Sequence, residues 1–342
     1  MPALDNPGGV TIYSQTVASA LRARGHHVTV FAVGQSQHIA TAPDLYCINA
    51  VTRAARRRQL VDCLSTLETS RPFDLLIANN LQTAAFLRHH ECRACKVFTL
   101  HQPSLLAPTG RLTHWRRQHR LKRLFHRQHL TAVSKAYLDN FLLHYPMIRP
   151  SSTQVTYNPI EQTYLLRRSG SAQSGESGYL LSVGRLTRTK NHAALLQAYA
   201  RLPSDTPELI IMGDGPEKPV LQALTQTLGL ANRVKWLGWQ ANPYPFIRQA
   251  RLLVHTARAE SFGRVLAEAL ALGTPVVAVD CRYGPAEILT GALADFLAPP
   301  DDIDALCHTI MRALQHYPAL NGDIVASFAA ARTAAAYERY LS

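Results

Sequence analysis

The sequence lacks any long hydrophobic run. None of its apolar stretches approaches the roughly 18 consecutive residues that a membrane-spanning helix needs. Met1–Asp5 also lacks the basic start and the apolar core of a signal peptide. The six cysteines are scattered over 342 residues, which does not fit a disulfide framework and indicates reduced thiols. These absences predict a cytoplasmic protein.

Clear metal-binding patterns are also missing. Cys92 and Cys95 form a lone CxxC motif without a partner pair, so ordinary reduced cysteines are the simpler interpretation. Asp302–Asp304 has the spacing of a metal-binding DxD motif. It follows two prolines and precedes a helical pattern, so we interpret Asp302 as a helix N-cap. The sequence therefore predicts no metal site.

Acidic residues are absent from a long stretch of the first half. Between Glu91 and Asp139 there are none, while ten Lys or Arg residues occur there. Residues 1–157 carry a net charge of +12 and residues 158–342 carry +1. A field this one-sided bears on the partners of a protein rather than on its fold.

The densest basic segment spans residues 114–129. Its cations include Arg116, Arg117, Arg120, Lys122, Arg123 and Arg127, and Leu112, Trp115, Leu121, Leu124 and Phe125 would give a helix here an apolar side. An anionic membrane surface, a phosphorylated glycolipid and nucleic acid are candidate partners, and a solvated helix face is the alternative. No helix-turn-helix, zinc-finger or RNP-type pattern supports nucleic acid. We predict an acceptor-binding or membrane-binding role and no nucleic-acid partner.

Strand-like apolar runs alternate with helical patterns along the whole chain. This alternation predicts an α/β fold with parallel sheets covered by helices on both faces, and ligands then bind at the carboxyl ends of the strands. A length of 342 residues fits two domains of ordinary size. The predicted strands are 27–33, 73–78, 96–101 and 130–134 in the first half and 179–184, 208–213, 234–237, 252–255 and 275–279 in the second.

Two glutamates eight positions apart, Glu260 and Glu268, flank the start of a predicted helix. Ser261 is the predicted N-cap of a helix that runs from Phe262 to Leu272. Backbone N–H groups at such a strand–loop–helix junction favour phosphate. Ser261 and Glu268 would share one helix face, so Glu260 and Glu268 could reach opposite ends of a ligand. A nucleotide sugar, with a diphosphate between two hydroxyl-bearing ends, fits this arrangement.

Two cations follow another predicted strand. The run Ser182–Asn191 ends a strand at Gly184 and places Arg185 and Lys190 on one short loop. A guanidinium can bind phosphate through two hydrogen bonds, and an ammonium supplies a compact point charge. The alternative is a helix-entry loop with solvated cations.

These motifs, with the turns at 273–280 and 283–289, resemble the C-terminal signature of the retaining GT-B glycosyltransferases of family 4. The version with Asp280–Cys281, Gly284–Pro285 and Glu287–Ile288 is similar to the bacterial lipopolysaccharide-core galactosyltransferases and their neighbours. Tyr157–Pro159 and Leu237–Gln240 upstream fit the same group. The resemblance implies a GT-B fold, in which two Rossmann-like domains face each other across a cleft. It implies that the C-terminal domain holds the donor and the basic N-terminal domain holds the acceptor.

The resemblance also implies residue roles. Arg185 and Lys190 would neutralise the leaving diphosphate, Glu260 would contact the donor sugar, and Glu268 would contact the ribose. His101 ends a predicted strand where the family places a histidine near the transferred sugar, and a structural histidine is the alternative. Further donor contacts are expected at Gly8, Gly9, Gly184, Gly213, Gly215, Ser261, Phe262 and Gly263. For Gly8–Gly9 and Gly213–Gly215, a plain turn is the competing interpretation.

The predicted function is transfer of a hexose from a nucleotide sugar, expected to be UDP-linked, to a cell-surface glycan such as the lipopolysaccharide core. Retention of configuration and the absence of any metal or cofactor follow from the resemblance alone. The protein is expected on the inner face of the cytoplasmic membrane. The alternatives are a nucleotide-sugar epimerase or another enzyme of this fold, and a non-catalytic basic protein that binds membrane or nucleic acid.

The expected domains are 1–157 for the acceptor, 158–325 for the nucleotide sugar, and 326–342 as a C-terminal helix that packs back on the first domain. Members of the family open with a short buried strand before the glycine loop, whereas here Asp5–Val10 begins close to Met1. A central strand of the first sheet is therefore expected to be missing. A late start codon is the preferred explanation, and a clipped chain or a fold that manages without the strand are the alternatives.

Overall fold

The computed structural model describes residues 8–34, 44–88, 90–106, 110–170, 177–320 and 322–341. The chain divides into two compact units. Unit 1 comprises Met1–Pro159 and Ala330–Ser342, and unit 2 comprises Ile160–Ala329. Asp5–Pro7 of the expected glycine loop and residues 171–176 of the Gly/Ser-rich segment lie outside the described residues.

Unit 1 is built from parallel strands that alternate with helices, as the sequence predicted. Its strands are β1 Val30–Val33, β2 Leu45–Ile48, β3 Leu75–Ala78, β4 Cys95–Leu100, β5 His129–Ala132 and β6 Ser152–Val155. Its helices are α1 Gly9–Ala23, α2 Arg53–Ser70, α3 Leu81–Leu87, α4 Arg111–Phe125, α5 Lys135–His144 and the C-terminal α13 Ala330–Glu338. A 3₁₀ turn covers Pro103–Leu106.

The sheet of unit 1 is interrupted. β1 pairs in parallel only with β2, whereas β3, β4, β5 and β6 form a separate four-stranded parallel sheet. Among the described residues no strand lies between β1 and β3. A cavity of about 500 Å³ occupies this region, and residues of β1, β3, α1 and α2 line it. That the first sheet lacks a central strand stays a prediction, because residues 1–7 and 35–43 lie outside the described residues.

Helix α13 packs against α1 within unit 1. The hydroxyls of Tyr13 and Tyr337 lie 2.8 Å apart, and the Tyr337 hydroxyl lies 2.8 Å from Oγ1 of Thr99 on β4. At the surface, Arg24 donates two hydrogen bonds of 2.6 Å to the Glu338 carboxylate. Buried hydroxyls that satisfy one another avoid the cost of an unpaired polar group, so this contact fixes the register of α13.

Unit 2 contains a six-stranded sheet in which every recorded pairing is parallel. The strand order is β14-β12-β10-β7-β8-β9, and β11 pairs with β13 in a separate ribbon. The strands are β7 Leu180–Val183, β8 Leu209–Met212, β9 Val234–Gly238, β10 Leu252–His255, β11 Ala259–Glu260, β12 Val276–Val279, β13 Arg282–Tyr283 and β14 Leu297–Ala298.

The helices of unit 2 cover this sheet. They are α6 Gln162–Ser169, α7 His192–Ala200, α8 Lys218–Thr227, α9 Tyr244–Gln249, α10 Arg264–Ala271, α11 Pro285–Ile288 and α12 Ile303–Gln315, with 3₁₀ turns at Gly291–Phe296 and Gly322–Phe328. Asp302 caps α12 by accepting a 2.8 Å hydrogen bond from the Ala305 amide, which confirms the predicted N-cap. None of the helices in the described ranges is long and apolar enough to cross a bilayer.

Candidate functional site

The strand order of unit 2 reverses between β7 and β10. From β7 the chain continues to β8 and β9 on one side, and from β10 it continues to β12 and β14 on the other. Open α/β sheets bind ligands in the crevice at the carboxyl ends of two such strands. Lys190 lies in the loop that follows β7, and Glu260 lies in the segment that follows β10. The fold therefore brings these two predicted residues to the position where a ligand is expected.

Lys190 and Glu260 form an ion pair. The side chains are 26% and 16% exposed, and Nε2 of the buried His255 lies 3.5 Å from the Glu260 carboxylate. Burial opposes ionisation of Glu260, but Lys190 and then His255 hold its pKa well below the usual range. Glu260 is therefore a carboxylate, which can only accept hydrogen bonds and suits the hydroxyls of a sugar.

A short parallel ribbon holds Glu260 in place. Glu260 pairs with Tyr283 across β11 and β13, and the Gly284 amide donates a 3.3 Å hydrogen bond to the Glu260 carbonyl. A Cβ atom at position 284 would lie 2.0 Å from the Phe262 carbonyl oxygen. Only glycine allows the two backbones to approach this closely, so Gly284 supports the position of Glu260.

The predicted cap at Ser261 is wrong. Helix α10 begins at Arg264 and its N-cap is Gly263, in the left-handed conformation with φ of 93° and without a side-chain cap bond. Phe262 is fully buried and packs its ring 5.1 Å from that of Phe328, and the chain then turns at Gly263 with a positive φ that glycine tolerates. Ser261 is buried outside the helix, so it does not share a helix face with Glu268.

Glu268 belongs to a second charge cluster. The Arg264 Nε donates a 2.7 Å hydrogen bond to Glu268, one turn along α10, and the two side chains are only 13% and 8% exposed. The Nη1 atom of Arg264 is buried and has no hydrogen-bond partner among the described residues. This donor could serve an anionic ligand. Sequence reasoning missed the Arg264 side chain, although its i,i+4 spacing from Glu268 is the signal that would have identified the pair.

The loop of residues 184–191, here called the cation loop, packs against the turn that contains Gly213 and Gly215. The amides of Gly184 and Leu186 donate hydrogen bonds of 3.0 and 2.9 Å to the carbonyls of Met212 and Asp214. A Cβ at position 213 would lie 1.9 Å from the Gly184 carbonyl oxygen, and one at position 215 would lie 2.3 Å from that of Leu186. Both glycines have positive φ. The two glycines hold the cation loop in contact with this turn. Their packing fits the competing interpretation of Gly213–Gly215 as a structural turn.

Arg185 and Arg188, both in the cation loop, differ in whether their side chains have an ion-pair partner. Arg185 is exposed and has no ion-pair or hydrogen-bond partner among the residues that the structure describes. Arg188 is 89% exposed and lies 3.5 Å from Glu217. Arg185 is thus the cation of this loop whose donors remain available to a phosphate.

Two buried histidines adjoin this cluster, and sequence reasoning did not single them out. Burial, with the neighbouring His255 and Lys190, lowers the pKa of His192 at the start of α7 to about 4. Burial also lowers the pKa of His255, although Glu260 opposes that shift. Their neutral rings leave Lys190 as the cation that faces Glu260. The only signal in the sequence was a histidine at the end of an apolar strand.

The other predicted site residues lie in unit 1. His101 follows β4, its ring lies 4.5 Å from that of Tyr13, and its buried Nε2 has no hydrogen-bond partner in the described ranges. Burial lowers the pKa of His101 to about 3, so the imidazole is neutral. Gly8 caps α1, and an added Cβ at Gly8 or Gly9 would meet nothing within 4 Å. Local packing therefore does not require glycine at these two positions.

The basic segment forms α4 and the turn that follows. Arg116, Arg120, Arg123 and Arg127 are exposed, Lys122 is half-buried, and Arg117 donates to the carbonyls of Ser104 and Leu105. The predicted apolar side is wrong in part: Leu121 and Phe125 are buried in the core, because α4 packs this face on unit 1. Leu112 and Trp115 are 60% and 56% exposed beside the cations.

Family models match almost the whole chain. The model described as "Glycosyltransferase Family 4" matches residues 7–163, and the model described as "Glycosyl transferases group 1" matches residues 167–322. The chain belongs to the group 1 glycosyltransferases. Both segments coincide with the α/β units described above, so the membership extends over unit 1 and unit 2.

Two curated relatives of this chain are named as glycosyltransferases. An N-acetylgalactosaminyltransferase of Campylobacter jejuni that acts on a diphospho-undecaprenol-linked saccharide is 34% identical over 155 residues, which are 45% of this chain and 42% of the relative. A lipopolysaccharide 1,6-galactosyltransferase of Escherichia coli is 29% identical over 162 residues, 46% of this chain and 44% of the relative. The matched segments thus span less than half of each relative.

Solved structures match the glycosyltransferase over its full length. HepE of Anabaena in complex with UDP has a TM-score of 0.71 and 22% identity, covering 100% of this chain and 94% of that protein. The lipopolysaccharide outer core galactosyltransferase WaaB in its apo form has a TM-score of 0.69 and 18% identity, with coverage of 100% and 99%. These similarities show the GT-B fold and confirm the predicted fold class.

Proposed function

We propose that this protein transfers a hexose from a UDP-sugar to a cell-surface glycan acceptor of the lipopolysaccharide-core type. The observation that carries the proposal is the meeting of Lys190 and Glu260 at the point where the strand order of unit 2 reverses. The names of the curated relatives support a glycan acceptor, and the UDP complex of HepE supports a uridine donor. Family membership favours transfer over epimerisation or simple binding.

In the proposed reaction, the bond between the anomeric carbon and the diphosphate oxygen breaks, and the departing diphosphate gains negative charge. An acceptor hydroxyl oxygen forms the new bond to that carbon, and its proton passes to the departing diphosphate. Arg185 and Lys190 stabilise this charge, and one such electrostatic contact is worth about 3 kcal/mol in the transition state. Lys190 remains paired with Glu260, so one ammonium joins the leaving group to the carboxylate that accepts hydrogen bonds from the sugar hydroxyls. Arg264 and Glu268 contact the nucleoside side of the donor.

With two cations assigned to the leaving group, the proposal assigns no metal ion or other cofactor to the transfer. Retention of configuration is proposed from the resemblance in the signature motifs. The basic unit 1 is assigned to the acceptor, with the neutral His101 as a hydrogen-bonding group near the transferred sugar. The exposed cations of α4 are assigned to anionic phosphates of the acceptor or of the inner membrane surface.

The test is release of nucleotide from a panel of UDP- and GDP-sugars, with and without lipopolysaccharide core. We expect one UDP-hexose to be consumed, faster when the acceptor is present, with no stimulation by Mg²⁺ or Mn²⁺. Nuclear magnetic resonance of the product should show the anomeric configuration of the donor. Epimer exchange without release of UDP, or no turnover of any donor, would contradict the proposal.

A matched pair of variants sharpens this test. Arg185→Ala removes an exposed cation and should lower kcat/KM by roughly 10²–10³ without a change in melting temperature. Arg188→Ala removes the neighbouring 89% exposed cation and should leave kcat/KM unchanged. Equal effects of the two substitutions would show that the loop contributes general charge and no specific phosphate contact.

A further inference from the structure

Three side chains with metal-ligating atoms cluster near the amino end of β4 in unit 1. Glu68 lies in the last turn of α2, and His90 and Cys92 lie between α3 and β4. One ligand atom from each of the three lies within 4.8 Å of the other two. The Glu68 Oε2 and the His90 Nε2 are 3.3 Å apart. Cys92 belongs to the CxxC motif that the proposed glycosyl transfer does not use.

The histidine of this cluster is buried without a hydrogen bond. The His90 side chain is 5% exposed, and its Nε2 has no hydrogen-bond partner in the part of the chain that the structure describes. A buried polar group left unsatisfied costs roughly 1–3 kcal/mol. The 3.3 Å separation from Glu68 does not meet hydrogen-bond geometry, so the ion pair does not account for this nitrogen. A shared metal ion would satisfy all three groups.

We propose that Glu68, His90 and Cys92 bind a zinc ion. Zinc takes nitrogen, thiolate and carboxylate ligands at about 2.0–2.3 Å, which places tetrahedral ligand atoms roughly 3.5 Å apart. The observed cluster needs only side-chain adjustments to reach that geometry, with water as the fourth ligand. Binding releases the Cys92 proton, and the thiolate and the carboxylate together balance the double charge of the ion. Lys96 adjoins the cluster, and its Nζ donates to the His90 carbonyl.

The two cysteines of the CxxC motif have different surroundings. Cys95 is the first residue of β4, is half-buried, and pairs its backbone with Leu75. Burial raises the pKa of the Cys95 thiol, which disfavours a thiolate. Cys92 is the cysteine that meets Glu68 and His90. Cys95 therefore serves as a control within the same motif.

The proposed zinc site lies away from the residues assigned to sugar transfer. His101 follows the opposite end of β4, and the six residues of that strand span roughly 20 Å at about 3.3 Å per residue. An ion at Glu68, His90 and Cys92 joins the end of α2 to the connection that leads into β4. It stabilises unit 1 and touches no group assigned to sugar transfer, so the inference stands whether or not the proposed function holds.

The test is titration of the untagged full-length protein with Co²⁺, which reports thiolate ligation by a charge-transfer band in the near ultraviolet. We expect one Co²⁺ per chain and displacement by Zn²⁺. The band should disappear in Cys92→Ser and His90→Gln and persist in Cys95→Ser. A band that survives Cys92→Ser, or an unchanged spectrum of the wild type, would overturn the proposal.

Two measurements guard against a variant that fails to fold. Far-ultraviolet circular dichroism checks that each variant folds. Glu68→Gln changes a partly exposed side chain. It should weaken Co²⁺ binding roughly tenfold or more and keep the thiolate band at saturation. Zn²⁺ should raise the melting temperature of the wild type and of Cys95→Ser, but not that of Cys92→Ser. Equal zinc stabilisation of all three proteins would exclude the site.

Discussion

Lys190 and Glu260 form an ion pair that joins the loop after β7 to the segment after β10, although 70 positions separate them in the chain. The pair is partly buried, and His255 is the second group that faces the carboxylate, at 3.5 Å. Lys190 therefore has two tasks in the proposed enzyme, since it compensates the charge of Glu260 and faces the leaving diphosphate. Removing it should affect both stability and catalysis.

Lys190→Ala should lower the free energy of unfolding by about 3 kcal/mol, because it leaves the Glu260 carboxylate buried without its partner. The double variant Lys190→Ala/Glu260→Gln should regain most of this loss while remaining inactive. Urea unfolding and steady-state kinetics of the single and double variants measure the two effects. Simple addition of the two single losses in stability would show that the ion pair does not couple these residues.

Glu260→Gln and Glu268→Gln should have different consequences. We expect Glu268→Gln, and likewise Arg264→Met, to weaken binding of UDP, because this buried pair is assigned to the nucleoside. Glu260→Gln should instead lower kcat while leaving affinity for free UDP close to that of the wild type, since its assigned contact is the sugar. Calorimetric titration with UDP separates the cases. Equal losses of UDP affinity in the two glutamate variants would contradict this division.

The exposed cations of α4 should hold the protein on anionic membranes. Each cation near such a surface contributes roughly 1 kcal/mol, and salt screens the attraction over about 10 Å at 0.1 M. Vesicles with anionic lipid should therefore retain the wild type at low salt and release it at high salt. Arg116→Gln, Arg120→Gln and Arg123→Gln together should abolish retention and spare donor hydrolysis.

The matched control for that experiment replaces three cations of α2. Arg53, Arg57 and Arg58 are also exposed, but no exposed large aromatic side chain comparable to Trp115 is recorded on α2. Their glutamine variants should keep most of the vesicle binding. Equal loss in both triple variants would indicate that net charge alone attracts the protein, and retention by the α4 variant would leave α4 as a solvated face.

The interrupted sheet of unit 1 should exchange its amide hydrogens rapidly. β1 and β3 border the cavity of about 500 Å³ and each pairs with a single strand, whereas β5 lies between β4 and β6. Local opening depends on packing and on paired neighbours, so amides of β1 and β3 should be less protected than those of β5. Hydrogen exchange followed by mass spectrometry measures the difference. Equal protection of β1 and β5 would show that the cavity does not weaken unit 1.

His192 should make unit 2 sensitive to acid. Its folded pKa of about 4 lies below the ordinary value of 6.5, so the unfolded chain binds the proton between these values. Stability is therefore full above pH 6.5 and falls as the pH drops towards 4, by about 2 kcal/mol at pH 5. His192→Gln should abolish this contribution to the fall in the free energy of unfolding. Urea unfolding at pH 7 and at pH 5 measures it. His308→Gln, at an exposed site, should leave the acid sensitivity unchanged.

Local patterns in the sequence determined the secondary structure and much of the architecture. Four-residue apolar runs such as Val276–Val279 form buried strands of a parallel sheet, since such a run has no polar face to leave in water. Asp302 caps α12 because its carboxylate needs only an amide three residues away. The cations of the loop after β7 and the glutamate after β10 could be named because family motifs are also local in the chain.

Tertiary packing determined the helix boundaries, buried side chains and long-range contacts that local sequence patterns do not encode. In the fold, Phe262 is buried before α10 begins, the N-cap is Gly263 and Ser261 lies outside the helix. Packing of Leu121 and Phe125 in the core removed two residues from the predicted apolar surface of α4. The pairing of Lys190 with Glu260 and His255, like the meeting of Glu68 with His90 and Cys92, joins groups far apart in sequence. Such contacts depend on strand order and on which side chains the core removes from water, and both are properties of the folded chain as a whole.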